Sequence, residues 1–275
     1  MDRQSGRVVE GILSKISSKD LVGAELLESK LIYNLIGFIS ACDGTDNAVL
    51  ISNLGYLLSQ KGLNTCIVDL KVFYPNLYHY VDCHAPKKAS GLIKLLKSDK
   101  VDVREEIQAT KYERLYLLSP SPQDLMEEYF DFEFEHLERV LATLKQMFDI
   151  VLIDIPNNPP LEFCLGAMKA CHIGFFTATE RTEAVIHMVK LLDFANSVGI
   201  STAKFTNVIM MNLQNIDFDF DVYKEMGLNI ITALPYVKDG VARANKGKLY
   251  VKDNPLFNRQ FMKEIQRLAA QLAEQ

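Results

Sequence analysis

LIGFISACDGTDNAVLISNL, residues Leu35 to Leu54, is the stretch around which the chain is organised. Its apolar start, Leu35-Ile36-Gly37-Phe38-Ile39, reads as a buried strand. A polar loop follows from Ser40 to Asn47 and holds one glycine, Gly44. Ala48 to Gln60 then carries apolar residues at helical spacing, and Gly62 ends the run. Strand, tight polar loop and helix form the context in which backbone N–H groups wrap a phosphate. Such a loop also needs several glycines, a lysine for the outer phosphates and a Ser or Thr hydroxyl for Mg²⁺. This one has the frame and lacks most of those groups.

The stretch resembles the deviant Walker loop of the MinD/ParA ATPases, K-G-G-x-G-K-[ST]. Against that pattern Cys42 stands at the first lysine and Asp43 at the first glycine, while Gly44 keeps the second. Asp46 replaces the third glycine, Asn47 the catalytic lysine and Ala48 the magnesium hydroxyl; Asn53 and Leu54 match the N-L that follows. Two carboxylates about 6 Å from a triphosphate, at an effective dielectric near 20, each cost roughly 3 kcal/mol per phosphate charge. The absent lysine removes a similar amount of attraction. Tight binding of Mg·ATP is therefore not expected. On the residues alone, Asp43, Asp46 and Asn47 also read as ordinary turn and cap residues.

Four further segments carry the resemblance. Thr65-Cys66-Ile67-Val68-Asp69 is a short strand ending in an acid; the family has D-x-D there, and Lys71 takes the second acid's place. Lys71 is positioned to neutralise Asp43 or Asp46, or to partner Asp154. The turn Tyr74-Pro75-Asn76-Leu77 resembles the family's P-S-L or R-N-L. Phe148-Asp149-Ile150-Val151-Leu152-Ile153-Asp154-Ile155-Pro156 resembles its Walker B strand, with Asp154 where a Mg²⁺-linked acid belongs. Val208-Ile209-Met210-Met211-Asn212 is a later strand, and Asn212 matches the asparagine with which the family reads adenine. Gly44, Asn47, Ala48, Asp69, Asp154 and Asn212 are thus expected to outline a vestigial nucleotide pocket. No catalytic residue and no metal ligand is assigned, and ATP with Mg²⁺ enters only if the chain is an active ATPase after all.

The remaining elements follow in order. Val101 to Ala109 reads as a helix in an insert spanning residues 82–114, Leu115 to Ser119 as a strand, and Glu133 to Met147 as an amphipathic helix. His172 to Thr177 reads as a strand, Thr179 as the cap of a helix from Glu180 to Ser197, and Ile230 to Pro235 as the last strand. Asn258 to Ala273 is a helix expected to pack on the core. Strands alternating with helices imply an α/β fold: a mostly parallel sheet with helices on both faces, a three-layer, P-loop NTPase-like domain over 35–275. Residues 1–34 are expected to be a helical extension, with Val9, Ile12, Leu13 and Ile16 on one face.

Composition bounds the function. The 275 residues are 48% hydrophobic and 24% charged, ordinary for a globular domain. A net charge of −5 without an evident basic patch disfavours nucleic acid. No apolar run reaches the roughly 18 residues of a membrane span, so a membrane contact is expected only through a partner. Five cysteines with no CxxC fit a reducing cytoplasm. The five histidines show no metal-ligand spacing. The resemblance implies a non-catalytic MinD/ParA-like scaffold or localisation factor that works through protein partners, as a homodimer, to position an assembly such as a pilus or secretion machine. Pilus-assembly members of the TadZ/CpaE kind are similar in role. An active ATPase of positioning or partition is the alternative. A tyrosine autokinase is disfavoured because no C-terminal tyrosine cluster is present.

Overall fold

A computed structural model describes residues 33–130, 132, 134–158, 160–213, 220–253 and 259–274. The expected extension over 1–34 lies almost wholly outside them. The core is an eight-stranded sheet: β1 (Leu35–Ser40), β2 (Thr65–Asp69), β3 (Gln108–Ala109), β4 (Leu115–Leu118), β5 (Ile150–Ile155), β6 (Ile173–Ala178), β7 (Asn207–Leu213) and β8 (Asn229–Pro235). Their spatial order is β3-β4-β2-β5-β1-β6-β7-β8, and only the β3–β4 pair is antiparallel. β1 lies between β5 and β6, so the chain runs first to one side of it and then to the other. In open α/β sheets a ligand crevice forms outside the carboxyl ends of strands at such a switch point. That is where the loop Ala41–Asp46 emerges.

The central strands are buried along their length, as parallel strands covered on both faces must be. One face is covered by α1 (Asn47–Gln60), α2 (Leu77–Tyr80), α9 (Gly240–Ala244), α10 (Tyr250–Asp253) and α11 (Arg259–Ala273), around Phe38, Leu54, Leu152 and Ile265. The other is covered by α3 (Leu92–Lys97), α4 (Val103–Glu106), α5 (Phe134–Met147), α6 (Leu161–Ala170), α7 (Glu183–Ser197) and α8 (Asp221–Glu225), around Ile39, Leu141, Phe163 and Phe205. The terminal helix α11 buries Phe261, Met262, Ile265, Leu268, Ala269 and Leu272 and packs on α1 and β8, as its apolar spacing predicts. Among the described residues no helix is long and apolar enough to cross a membrane.

Two local expectations fail for identifiable reasons. The helix expected over Val101 to Ala109 is only α4, one turn long. The Glu106 carboxylate turns inward to accept from Gly91 N at 2.7 Å and to pair with Lys94, and Ile107 is extended, so Gln108 and Ala109 join β4 as an edge strand. Thr179 does not cap α7, which begins at Glu183 after a short loop. The Thr179 hydroxyl instead lies 3.4 Å from Cys42 Sγ.

Gly174 shows how closely the layers meet. A Cβ there would lie 2.0–2.4 Å from three atoms of the Phe205 ring, which is itself fully buried. Neither partner can withdraw from a core packed at near-crystalline density. Gly174→Ala is therefore expected to cost about 1–3 kcal/mol, read as a lower urea midpoint; an unchanged midpoint would show that the Phe205 ring is free to move.

Candidate functional site

Ser40, at the end of β1, delivers the loop to the C-terminal edge of the sheet. The loop is held there by neighbours from both sides: Ala41 N donates to Thr177 O (2.8 Å), Asn157 Nδ2 to Ser40 O (2.6 Å), and the Thr45 hydroxyl to Ser40 Oγ (2.9 Å). His187 Nδ1, from α7, lies 2.9 Å from Ala41 O. The backbone keeps the shape of a glycine loop. Gly44 has φ +81°, and Asp46, where a glycine would be expected, has φ +52° and ψ +49°. A non-glycine residue adopts this left-handed conformation at a cost of roughly 1–2 kcal/mol. The turn at Asp46 thus has a backbone conformation that glycine adopts freely. Asp43 is exposed, whereas Asn47 and Ala48 are buried at the start of α1.

The side chains at the start of α1 and at the strand tips are engaged with one another. Asn47 is 1% exposed; its Nδ2 lies 3.4 Å from Asp154 Oδ1, and its Oδ1 accepts from the Thr177 hydroxyl. It therefore ties the tip of β5 to the tip of β6. Asp154 is fully buried, and its other oxygen forms an ion pair with Lys71 Nζ at 2.9 Å. Lys71 keeps about a quarter of its side chain exposed. Burial raises the pKa of Asp154, against the pull of Lys71 and Asn47. Of the partners open to Lys71 on sequence, Asp154 is the one it contacts; towards Asp46 it supplies only a weaker, longer-range attraction.

Asp69 stands opposite Asp154 in the β2–β5 register and is also fully buried. Its carboxylate accepts from the backbone N–H groups of Lys71 (3.0 Å), Asn76 (3.1 Å) and Leu77 (3.2 Å). It thereby folds the loop after β2 around itself and aims the Lys71 side chain back at Asp154. Burial, then the nearby Asp154, push the Asp69 pKa up to about 7, while Lys71 and the backbone donors oppose the shift.

Asn212 closes the site from β7. It sits at φ +55°, beside an irregularity in the β7–β8 register. Its Nδ2 donates to Gly44 O (2.6 Å) and to Asp46 Oδ2 (2.9 Å). Asp46 is partly desolvated, which raises its pKa against this hydrogen bond and against Lys71. The six residues singled out from sequence therefore gather at one sheet edge. What the sequence did not reveal is that Asn212 clasps the loop, or that Thr177 and Asn157 belong to the cluster. Thr177 carries a weak signal, as a polar residue near the end of an apolar strand; Asn157 carries none. A small cavity of about 50 Å³ lies alongside, lined by Lys71, Val72, Phe73, Tyr74, Pro156, Asn158 and Pro160; none of residues 42–48 lines it. Among the described residues no group of three or more His, Cys, Asp or Glu is arranged to hold a metal ion.

Two outcomes follow from this geometry. Lys71→Met leaves Asp154 buried without its cation, and breaking such a pair costs about 3 kcal/mol or more; a chemical-denaturation midpoint close to that of the parent would show the pair to be dispensable. Asp69 holds its proton to higher pH in the folded chain than in the unfolded one, where its pKa is near 3.8. The native state then binds the extra proton between about pH 4 and pH 7, so stability falls as pH rises through that window. Asp69→Asn, which cannot titrate, is expected to flatten the decline measured between about pH 5 and pH 7.5, whatever its effect on absolute stability; an unaltered slope would assign the decline to other groups.

The sequence matches no protein-family profile, and no curated protein is similar to it at the sequence level. Solved structures are similar. The ParA family ATPase of Chlorobium tepidum is 19% identical, with a TM-score of 0.74 over 86% of this chain and 99% of its own. The cell division ATPase MinD of Pyrococcus furiosus is 19% identical, with a TM-score of 0.73 over 87% and 98%. The septum site-determining protein MinD of Pyrococcus horikoshii, solved with Mg-ADP, is 19% identical, with a TM-score of 0.72 over 87% and 95%. At this identity it is the fold that is shared, nearly over the whole of each relative. The order of the strands, the loop at the switch point and the acids at the ends of β2 and β5 together give this chain the MinD/ParA-type P-loop ATPase fold.

Proposed function

We propose that the chain is a non-catalytic protein of the MinD/ParA type, a scaffold or localisation factor that recruits or positions a cellular assembly such as a pilus or secretion machine. The observation that carries this reading is the use made of Asn47. The residue at the catalytic lysine's position has no charge to offer a phosphate, and both ends of its amide are spent on Asp154 and Thr177. Asp154, the acid best placed to serve a cation, already faces the Lys71 ammonium. Ala48 supplies no hydroxyl. Losing one group that stabilises transition-state charge typically costs about 10²–10³ in rate, and here several are missing together. A factor of this kind acts by contact. In the family the dimer is clamped by ATP held between two loops; a homodimer of this chain would use side-chain contacts instead, with the same mass in sedimentation with and without Mg·ATP. The MinD of Aquifex aeolicus has been solved in complex with MinC, an instance of this fold acting through a protein partner.

The competing reading is an active ATPase with an unusual loop. It draws on the left-handed backbone preserved at Gly44 and Asp46 and on the retained Asp69 and Asp154. A titration of the full chain with Mg·ATP separates the two. The parent is expected to show little binding and no turnover. A variant carrying Asp43→Gly, Asp46→Gly, Asn47→Lys and Ala48→Thr restores the glycines where the turn needs them, the lysine and the hydroxyl. That variant is expected to gain measurable Mg·ATP affinity. Turnover by the parent that is abolished in Asp154→Ala would refute the non-catalytic reading. A folded variant that still binds no nucleotide would show that residues 42–48 are not a former phosphate loop.

A further inference from the structure

The charge of this chain is unevenly spread. The net value is −5, yet Lys238, Arg243, Lys246, Lys248 and Lys252 fall within fifteen residues whose only acid is Asp239. Arg243, Lys246 and Lys248 converge on one concavity of about 290 Å³, which Ala242 and Asp239 also line. Among the described residues, no carboxylate lies within ion-pair distance of any of the three, although other lysines and arginines of the chain are paired. With Asp239 counted, the concavity carries a formal charge of two plus.

The cations are held by a built turn. Lys246 N and Lys248 N both donate to Arg243 O, at 2.9 and 3.0 Å, so the backbone of the two lysines is folded back onto that of the arginine. Gly247 between them has φ +64°, and a Cβ there would lie 2.7 Å from Asp82 Cβ, so the turn requires glycine. Its carbonyl accepts from Lys111 Nζ (3.0 Å) and from the Tyr112 hydroxyl (3.3 Å), which pins the turn to the body of the protein. Lys252 lies over the Tyr112 ring, 5.0 Å from its centroid, and adds positive charge alongside. A planar guanidinium fork and two ammonium groups lining one concavity are a donor set suited to phosphate oxygens. The concavity shares no lining residue with the loop at the end of β1, so it does not depend on what that loop binds.

We propose that the turn from Arg243 to Lys248 is a binding site for a phosphate-bearing anion, supplied either by a soluble phosphate compound or by the headgroup of an anionic lipid. The test uses the full chain, calorimetry with inorganic phosphate and with pyrophosphate, and flotation with vesicles of equal parts phosphatidylglycerol and phosphatidylcholine against phosphatidylcholine alone. Arg243→Gln and Lys246→Gln/Lys248→Gln are compared with Lys190→Gln/Lys263→Gln, which removes two positive charges from exposed positions on α7 and α11. Thermal unfolding verifies that each variant folds. Pyrophosphate binding that weakens about tenfold or more in both site variants and not in the control supports the site. Vesicle binding that pyrophosphate competes away, and that both site variants lose, assigns the anion to a lipid headgroup; pyrophosphate binding without vesicle binding assigns it to a soluble compound. Absence of binding to every probe, equal weakening in the control, or vesicle binding that pyrophosphate leaves unchanged would overturn the proposal. So would binding of a duplex oligonucleotide with none of phosphate or pyrophosphate, which would make the charges a diffuse polyanion surface.

Discussion

Two fully buried carboxylates, Asp69 and Asp154, face each other across adjacent strands at the middle of the sheet edge, and the Lys71 ammonium stands between that pair and an unsupportable charge. An isolated carboxylate in such a place would have to take up a proton or open the structure to water. Asp69 holds its proton up to about pH 7, and the chain also uses this acid to aim the cation at the other. Asp69 gathers three backbone N–H groups of the loop after β2, and the loop so folded carries Lys71 to Asp154. The arrangement of Lys71 is therefore a consequence of Asp69, and the two acids cannot be considered separately. It also fixes the backbone from Lys71 to Leu77, the segment that walls the neighbouring cavity with Val72, Phe73 and Tyr74.

A second constraint acts on the other side of β5. Asp46 and Asn212 are both non-glycine residues in the left-handed region, and they contact each other. Each conformation is costly alone. Their persistence together is explained by what they satisfy: Asn212 donates to Gly44 O and Asp46 Oδ2, and Asp46 O receives the first hydrogen bonds of α1, from Val49 N and Leu50 N. Strain of this kind survives where the surroundings over-determine it. Here they include Asn47, which cannot rotate away without abandoning Thr177 and Asp154. Loop, strand tips and the loop after β2 thus form one connected polar layer over an apolar sheet.

The sequence shows the strands of this layer plainly and its contacts poorly. β1, β2 and β5 are legible because a strand buried on both faces must be continuously apolar, and the acid that ends such a run marks the sheet edge. That logic places Asp69 and Asp154 without any coordinate. It does not place Asn212, whose reach to the loop depends on a register irregularity between β7 and β8 that no pattern of residue types announces. Thr179 misled for a related reason. A threonine before a helical run is a good cap, but its hydroxyl had a competitor, Cys42, more than a hundred residues away in sequence. β3 was hidden because four helical residues precede it and two extended residues are too few to show alternation; its existence rests on Glu106 being drawn inward by Gly91 and Lys94.

The same distinction separates the two charged regions of the chain. At the carboxyl edge of the sheet, charge is buried and internally spent: each carboxylate oxygen of Asp69 and Asp154 lies against a protein donor or cation. Groups engaged in this way resist a ligand, because binding must first break contacts in a low-dielectric site and leave one partner unmatched. At the turn after α9 the reverse holds. Arg243, Lys246 and Lys248 are at least partly exposed, lack carboxylate partners among the described residues, and are kept close by backbone hydrogen bonds that do not use their charges. Gathering like charges costs little when water screens them, and it leaves their full hydrogen-bonding capacity for an incoming anion. At the carboxyl edge the charged side chains are thus engaged with one another, whereas the surface turn whose Gly247 packs close to Asp82 holds three cations without carboxylate partners among the described residues.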